Sequence, residues 1–324
     1  MPMSRRALVV TALTAAVAVR PQPARAAYPE RPVRLIVPFA AGGAVDSIAR
    51  VLGKALTDNL GQAVVIDDRG GAGGVIGMEA VAHAAPDGYT LLLSHSGFAA
   101  MPGLHASLPF DPVRDFTGVI TAAAGAYVLA VNAAEPFRSV ADLIAYAKAN
   151  PGKITFGSAG VGSTVHLAGE LLKLTAGIDI VHVPYKGAAP AITDLTAGQI
   201  RMMFAPAVNA IPLAAAGKLR ALAVSSAKRS RLAPDVPTVA ESGLPGFEVT
   251  GWYGLAVPAA TPADAVARLN VEANRALKSD EVIAQLRLQG LDPVGDTPEH
   301  ATAWIRSEVA QWTKVIRDAG IKLQ

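Results

Sequence analysis

Cysteine is absent from this chain of 324 residues. No disulfide can therefore support the fold, no thiol is available for nucleophilic or metal chemistry, and no acylated N-terminal cysteine can anchor the protein to a lipid surface. Aromatic residues amount to only 5% of the chain, although hydrophobic residues as a whole make up 51%. This composition favours closely packed α/β layers over an aromatic-rich β-sandwich.

Long apolar runs are also missing, with one short exception at the N-terminus. Arg5 and Arg6 precede an apolar run over residues 7–19, which is too short to span a bilayer. Ala24-Arg25-Ala26 then supplies the small-x-small pattern of a cleavage site. We expect a signal peptide over residues 1–26, exported by the general or the twin-arginine route, and a mature protein in the periplasm. An uncleaved anchor is the alternative.

The chain has no excess of basic charge once residues 1–26 are left out. Four of the 29 basic side chains and none of the 26 acidic ones lie in residues 1–26, which leaves 25 basic against 26 acidic groups. A nearly balanced surface argues against nucleic acid and anionic membranes as partners.

The remaining sequence alternates strand-like and helix-like segments. Strands are predicted at residues 33–39, 63–66 and 89–94 with helical segments between them, a βαβαβ series typical of an open parallel sheet. A second series of strands and helices begins near Tyr127, and a mainly helical tail follows a strand near Trp252.

Two α/β lobes are therefore expected. We assign residues 27–125 and 251–324 to lobe 1, onto which the tail packs, and residues 126–250 to lobe 2. The chain would cross between the lobes near Gly125 and again near Gly251.

Catalytic and metal-binding motifs are incomplete. Residues 156–160 approach the nucleophile-elbow pattern but carry Phe156 in place of its first glycine, and Ser163 replaces the lysine of a phosphate loop. The six histidines show no metal-ligand spacing, and only His166, in the first helical turn after a glycine-rich loop, is retained as a candidate. No catalytic residue, metal or cofactor is predicted.

Two glycine-rich stretches each join a strand to a helix. They read VPFAAGGAVDSIAR at residues 37–50 and ITFGSAGVGSTVHLAGELL at residues 154–172. The N-terminus of a helix presents unpaired N–H groups and a partial positive charge, and glycine lets an anion approach that backbone. One such loop in each lobe would give a cleft with two anion sites, which a small molecule with a carboxylate at each end would bridge.

Local structural roles compete with this interpretation. Ser163 and Thr164 have the residue types of helix caps, and the glycines can serve a plain tight turn. Asp46 would repel an anion unless it caps its own helix or meets a ligand ammonium group.

Several motifs together resemble the substrate-binding proteins of tripartite tricarboxylate transporters, the Bug family. The resemblance covers essentially the whole chain after residue 26. It is carried by the two stretches above and by GGAGGVIG, LPFDPVRDF, HVPYKGAAPAITDLTAGQI, GKLRALAV, PDVPTVAESGLPGFE and WYGLAVPAATP.

This resemblance implies a two-lobed, periplasmic-binding-protein-like (Venus flytrap) α/β fold that captures a small organic carboxylate in the cleft and delivers it to membrane transporter subunits as a monomer. It implies that the ligand is bound by the following residues: Phe39, Ala41, Gly42, Gly43, Asp46, Ser158, Gly160, Gly162, Ser163, Thr164, His166, Tyr185 and Ala205. Ser94, at the end of a strand in the variable stretch SHSGFAAMPGL, is added as a residue that sets specificity with His95 and Ser96.

Two other functions remain open at this point. A sensor subunit for a signalling receptor would use the same lobe closure, and an enzyme on the same fold would need a nucleophile or base that the motif search did not find. Val45 stands where many relatives carry threonine, so the identity of the acid is open as well.

Overall fold

The computed structural model describes residues 28–321, and the expected signal peptide lies outside this range. The strands are β1 Val33–Val37, β2 Val64–Asp68, β3 Thr90–His95, β4 Phe116–Asn132, β5 Ile154–Ser158, β6 Ile180–Pro184, β7 Met202–Pro206, β8 Leu219–Val224, β9 Thr250–Pro258 and β10 Asp292–Pro293. The helices are α1 Ala44–Leu60, α2 Val75–Ala82, α3 Ser96–Leu104, α4 Val140–Ala149, α5 Thr164–Ala176, α6 Ala188–Thr196, α7 Ala207–Ala215, α8 Ala263–Ala276, α9 Asp280–Leu288 and α10 Pro298–Asp318.

The first half of the sheet has the order β2-β1-β3-β9-β4. β1 pairs in parallel with β2 and β3, while β9 runs antiparallel to both β3 and β4. The apolar run VRLIV suits β1 because this strand is covered on both faces. The C-terminal ends of β1 and β3 consequently meet at one edge, where the loops to α1 and α3 begin.

The second half has the order β4-β7-β5-β6, with β8 also paired to β4. β5 is parallel to β6 and β7, whereas β4 is antiparallel to β7. The predicted parallel sheets are thus mixed sheets, since β9 and β4 enter them in the opposite direction.

β4 belongs to both halves. Its residues up to Ala126 pair with β9, and its residues from Tyr127 onward pair with β7. The sequence predicted a strand only from Tyr127, because the preceding small residues have weak strand propensity. Pairing with β9 extends the strand back to Phe116. Close packing explains its two glycines: a Cβ at Gly118 would lie 2.8 Å from the carbonyl carbon of Ala301, and one at Gly125 would lie 2.8 Å from the carbonyl oxygen of Gly290.

The C-terminal tail packs against the first half of the sheet and also reaches the second half. α8 contacts α1 and β4, and α10 contacts α3, β4 and α5. Glu308 of α10 is buried and accepts hydrogen bonds from the indole nitrogens of Trp252, at 2.9 Å, and Trp312, at 3.1 Å. Across residues 28–321 no helix combines the length and the hydropathy needed to cross a membrane.

Candidate functional site

The first glycine-rich loop connects β1 to α1 and is closed by Asp46. Gly42, with φ of +84°, donates its backbone N–H to Asp46 Oδ2 at 2.7 Å. Arg50 Nε lies 2.8 Å from the other carboxylate oxygen. The hydrogen bond from Gly42 lowers the pKa of Asp46, Arg50 lowers it further, and burial opposes both effects. Asp46 therefore stabilises the loop as a charged group.

Free N–H groups remain at the start of α1. Gly43 is the N-cap and has no side chain to cap the helix. The first helical hydrogen bond runs from Ser47 N–H to the carbonyl oxygen of Gly43 at 2.9 Å, so the N–H groups of residues 44–46 precede it. These groups carry the positive end of the helix dipole and can bind an anion.

The second glycine-rich loop connects β5 to α5 and uses many of its polar groups internally. Gly160 N–H donates to Ser158 Oγ at 3.1 Å, and Ser163 Oγ donates to the carbonyl oxygen of Gly160 at 2.7 Å. Gly162 N–H donates to His166 Nδ1 at 3.1 Å. Ser163 caps α5 by accepting the N–H of His166.

The N–H groups of Thr164 and Val165 at the start of α5 remain for a ligand, because the first helical bond starts at Leu167.

His166 stacks on His182 beneath this loop. Their ring centroids are 3.8 Å apart, and the ring of Phe156 stacks on His182 at 4.9 Å. Burial lowers the pKa of His182 to about 4, and His166 adds to this effect. His182 was not a predicted site residue. The parallel pairing of β5 with β6, which sets His182 opposite Phe156, brings it to the loop.

A hydrogen bond of 2.6 Å joins Ser158 Oγ to His182 Nε2. Such a serine–histidine pair invites comparison with a nucleophile and its base. Ser158 is fully buried, however, and its hydroxyl also bonds both the N–H and the carbonyl of Gly160. The pair therefore fixes the shape of the loop, and the hydroxyl has no route to a substrate in this arrangement.

Side chains from both halves of the sheet meet at the starts of α3 and α5. Ser96 Oγ lies 3.0 Å from Thr164 Oγ1. Burial raises the pKa of Tyr127, with Tyr253 adding to the rise and a hydrogen bond with Thr164 opposing it. Thr164 thus bonds Ser96 and lies near Tyr127, which is on the strand that passes between the two halves of the sheet.

The end of β3 adjoins the first loop. The rings of Phe39 and His95 lie 5.0 Å apart at 60°. His95 caps α3, because its Nδ1 accepts the N–H of Gly97 at 3.0 Å. Among residues 28–321, Ser94 Oγ and His95 Nε2 are two of the buried side-chain atoms without a hydrogen-bond partner.

Tyr185 and Ala205, two of the predicted ligand-binding residues, contact other parts of the protein. The hydroxyl of Tyr185 donates to Asp194 Oδ2 at 2.7 Å, on α6 of its own lobe, and burial raises its pKa to about 12. Ala205 has no exposed surface and pairs with Val128 of β4. Neither offers a free polar group to a ligand in this arrangement.

The remaining predicted residues lie on the two loops. Ala41, Gly42 and Gly43 are exposed, Gly160 and Gly162 are half-buried, and Phe39 and Thr164 are half-buried at the junction of the loops. The chain of contacts from Phe39 to His95, and from Ser96 to Thr164, joins the first loop to the second.

Two cavities lie elsewhere. One of about 430 Å³ separates α1 from α9, and one of about 500 Å³ adjoins residues 105–114. Apart from Arg50 on α1, their lining residues lie outside the two glycine-rich stretches. The described part of the chain holds no cluster of three or more histidines and carboxylates suited to a metal ion.

Comparison with known proteins assigns the family. The model of the tripartite tricarboxylate transporter family receptor matches residues 48–321. The chain belongs to this family. This receptor is 38% identical to protein BugT of Bordetella pertussis over 326 residues, with 100% of each chain covered.

Two solved structures of Rhodopseudomonas palustris proteins are similar to the receptor. Rpa4515 with adipate shares 38% identity with a TM-score of 0.75, covering 91% of this chain and 100% of that one. MatC with bound malate shares 34% identity with a TM-score of 0.71, covering 89% of this chain and 100% of that one. The family and the periplasmic-binding-protein-like α/β fold predicted from the sequence are confirmed.

Proposed function

We propose that this receptor is a periplasmic solute-binding protein that captures a small organic mono- or dicarboxylate between two lobes and delivers it to a tripartite-type membrane transporter. The lobes would be residues 27–125 with 251–324, and residues 126–250. The observation that carries the proposal is the contact between Ser96 and Thr164, which brings the start of α5 against the start of α3, next to the first loop.

Two helix N-termini would hold the carboxylate. The N–H groups of residues 44–46 at α1 and of residues 164–165 at α5 precede the first helical bonds of their helices. A hydrogen bond to a charged acceptor contributes about 1.5–3 kcal/mol. About four such bonds, less the cost of ordering, correspond to roughly micromolar affinity. The adipate and malate carried by the similar structures support this class of ligand.

The roles of individual residues follow from their contacts. The backbone N–H groups of residues 44–46 and of Thr164 would contact the carboxylate, Gly43 would leave room for it to approach, and Phe39 would pack beside it. Asp46, Ser158, Ser163 and His166 would shape the loops from within. The receptor would act without turnover, as a monomer and without a cofactor.

A thermal-shift screen of small acids, amino acids, neutral sugars and polyamines tests the proposal. At about a hundred times its dissociation constant, a ligand adds roughly 2.7 kcal/mol to the free energy of unfolding. For a chain of this size the melting temperature should then rise by about 2–4 °C. We expect shifts with carboxylates only, lost when the same acids are amidated.

Mass spectrometry of the bound acid after long incubation completes the test. Recovery of the unchanged acid agrees with a binding protein, whereas a product would favour an enzyme. Shifts with sugars or polyamines and none with acids would overturn the proposal. Ligand-dependent capture from membrane fractions would separate transporter subunits from a signalling receptor as the partner.

A further inference from the structure

One buried donor at the candidate site has no partner. His95 Nδ1 accepts the N–H of Gly97 at 3.0 Å, so a neutral ring must carry its proton on Nε2. That Nε2 is buried and makes no hydrogen bond within residues 28–321. An unpaired buried donor is destabilising, so the site calls for an acceptor that residues 28–321 do not supply.

The position of His95 fits a contact with the ligand. It is the last residue of β3 and directly precedes Ser96, whose hydroxyl contacts Thr164 of the other lobe. Its ring lies 5.0 Å from that of Phe39 in the first loop, and Tyr253 of β9 is its partner across the sheet. His95 therefore lies between the first loop and the contact that joins the lobes.

The segments around His95 lack basic side chains, which is unusual for an anion site. Residues 37–47, 94–100 and 156–166 contain no lysine or arginine. Burial lowers the pKa of His95 to about 4, so the ring is neutral near pH 7. The N–H groups at the starts of α1 and α5 are neutral donors, and His95 Nε2–H is a further neutral donor with a fixed tautomer.

We propose that His95 is a specificity-determining residue whose Nε2–H donates to a second oxygen acceptor of the ligand, away from the carboxylate held at the starts of α1 and α5. This inference rests on the proposed function and narrows it. The receptor selects acids that carry a second oxygen group over simple alkyl monocarboxylates. A ligand reaches Nε2 when the contact between the lobes opens.

Two substitutions distinguish the roles of the two ring nitrogens of His95. In His95→Asn, the amide oxygen can replace Nδ1 as the acceptor of the Gly97 N–H, which preserves the cap of α3. The shorter side chain has no donor at the position of Nε2. In His95→Gln, the longer side chain places an amide N–H near the position of Nε2 but no longer caps α3 by accepting the N–H of Gly97. His105→Asn, at the other end of α3, is a matched control.

Binding is measured by calorimetry on the mature protein with two pairs of probes, succinate with butyrate and adipate with hexanoate, after refolding to remove bound acids. We expect the wild type to bind at least one diacid tenfold or more tightly than its monoacid counterpart. His95→Asn should lose that preference while its melting temperature stays within about a degree. His95→Gln should keep the preference within about threefold and melt at a lower temperature, and His105→Asn should behave as the wild type.

The outcomes distinguish this inference from the proposed function. Equal binding of the diacid by the wild type and His95→Asn overturns the role of His95 and leaves carboxylate binding intact. Loss of the preference in His95→Gln as well as in His95→Asn assigns His95 a purely structural role, which also overturns the inference. Failure of the wild type to bind any acid, in these pairs or in the broader screen, overturns both proposals.

Discussion

Ser96 Oγ and Thr164 Oγ1 lie 3.0 Å apart, although 68 positions separate them in the sequence. Each is the first residue of its helix, α3 for Ser96 and α5 for Thr164. The hydrogen bond therefore joins two helix starts that belong to different halves of the sheet. Tyr127 of β4, the strand shared by both halves, lies close enough for Thr164 to affect the pKa of its hydroxyl.

Replacing Thr164 by Val should weaken ligand binding about three- to tenfold. Valine has nearly the same shape but cannot bond Ser96, and the lost hydrogen bond contributes about 0.5–1.5 kcal/mol to the contact between the two helix starts. Thr164→Ser is the matched control and should bind as the wild type. Calorimetry gives the affinities, and small-angle scattering should show a larger open fraction for Thr164→Val. Identical affinity and shape for all three proteins would contradict a role for this contact in closure.

Substitutions at Gly42 and Gly43 should separate stability from binding. Gly42 has φ of +84°, which costs an L-residue about 1–2 kcal/mol, so Gly42→Ala should lower the free energy of unfolding by about that amount. Gly43 has φ of −83°, and a Cβ there would lie 3.6 Å from the carbonyl oxygen of Ala40, an ordinary contact. Gly43→Ala should therefore be nearly neutral in urea denaturation, while the larger Gly43→Val should weaken acid binding at least tenfold. If Gly43→Val binds normally, the first loop is a turn without a ligand role.

Gly162 should be coupled to Leu104 across the lobes. A Cβ at Gly162 would lie 2.8 Å from Leu104 Cδ1, and the φ of +79° adds backbone strain. We expect Gly162→Ala to destabilise the protein and weaken closure. In a double-mutant cycle, Leu104→Ala should recover at least about 0.5 kcal/mol of that loss, because it removes the clash but not the strain. Additive effects in urea denaturation would show that the two residues do not meet in solution.

Stability should fall as the pH is lowered from about 6.5 towards 4. Burial lowers the pKa values of His95 and His182 to about 4 in the folded protein, below the ordinary value of 6.5. Between these values the unfolded chain binds more protons, so the free energy of unfolding rises with pH across this window and levels off above it. Each histidine should contribute roughly 1–2 kcal/mol between pH 7.5 and pH 5, since both are partly exposed.

Urea denaturation at pH 5, 6 and 7.5 measures this dependence. The double variant His95→Asn with His182→Gln should show a clearly shallower pH dependence than the wild type. His105→Gln serves as the control, and its profile should follow that of the wild type. A double variant with an unaltered profile would assign the acid sensitivity to carboxylates instead.

Local sequence patterns were sufficient to predict much of the structure of this protein. The family motifs, the α/β class and the two loops that join a strand to a helix could be predicted from the sequence, since each depends on contiguous residues. Strand β6 at Ile180–Pro184 and the capping of α5 by Ser163 also follow from neighbouring residues. The periodicity of apolar residues and the residue types at helix ends are properties of short segments, which the rest of the chain did not override.

The allocation of hydrogen bonds at the site was decided only by the tertiary structure. Asp46 takes the N–H of Gly42 and His166 takes that of Gly162, so fewer N–H groups remain for an anion than the two glycine-rich loops alone suggest. His182 reaches Ser158 through the pairing of β5 with β6, and His95 is left with a buried, unpaired donor. Sequence patterns specify which groups can donate or accept, but which of them pair depends on contacts between distant segments, and these arise only when the sheet and the two lobes come together.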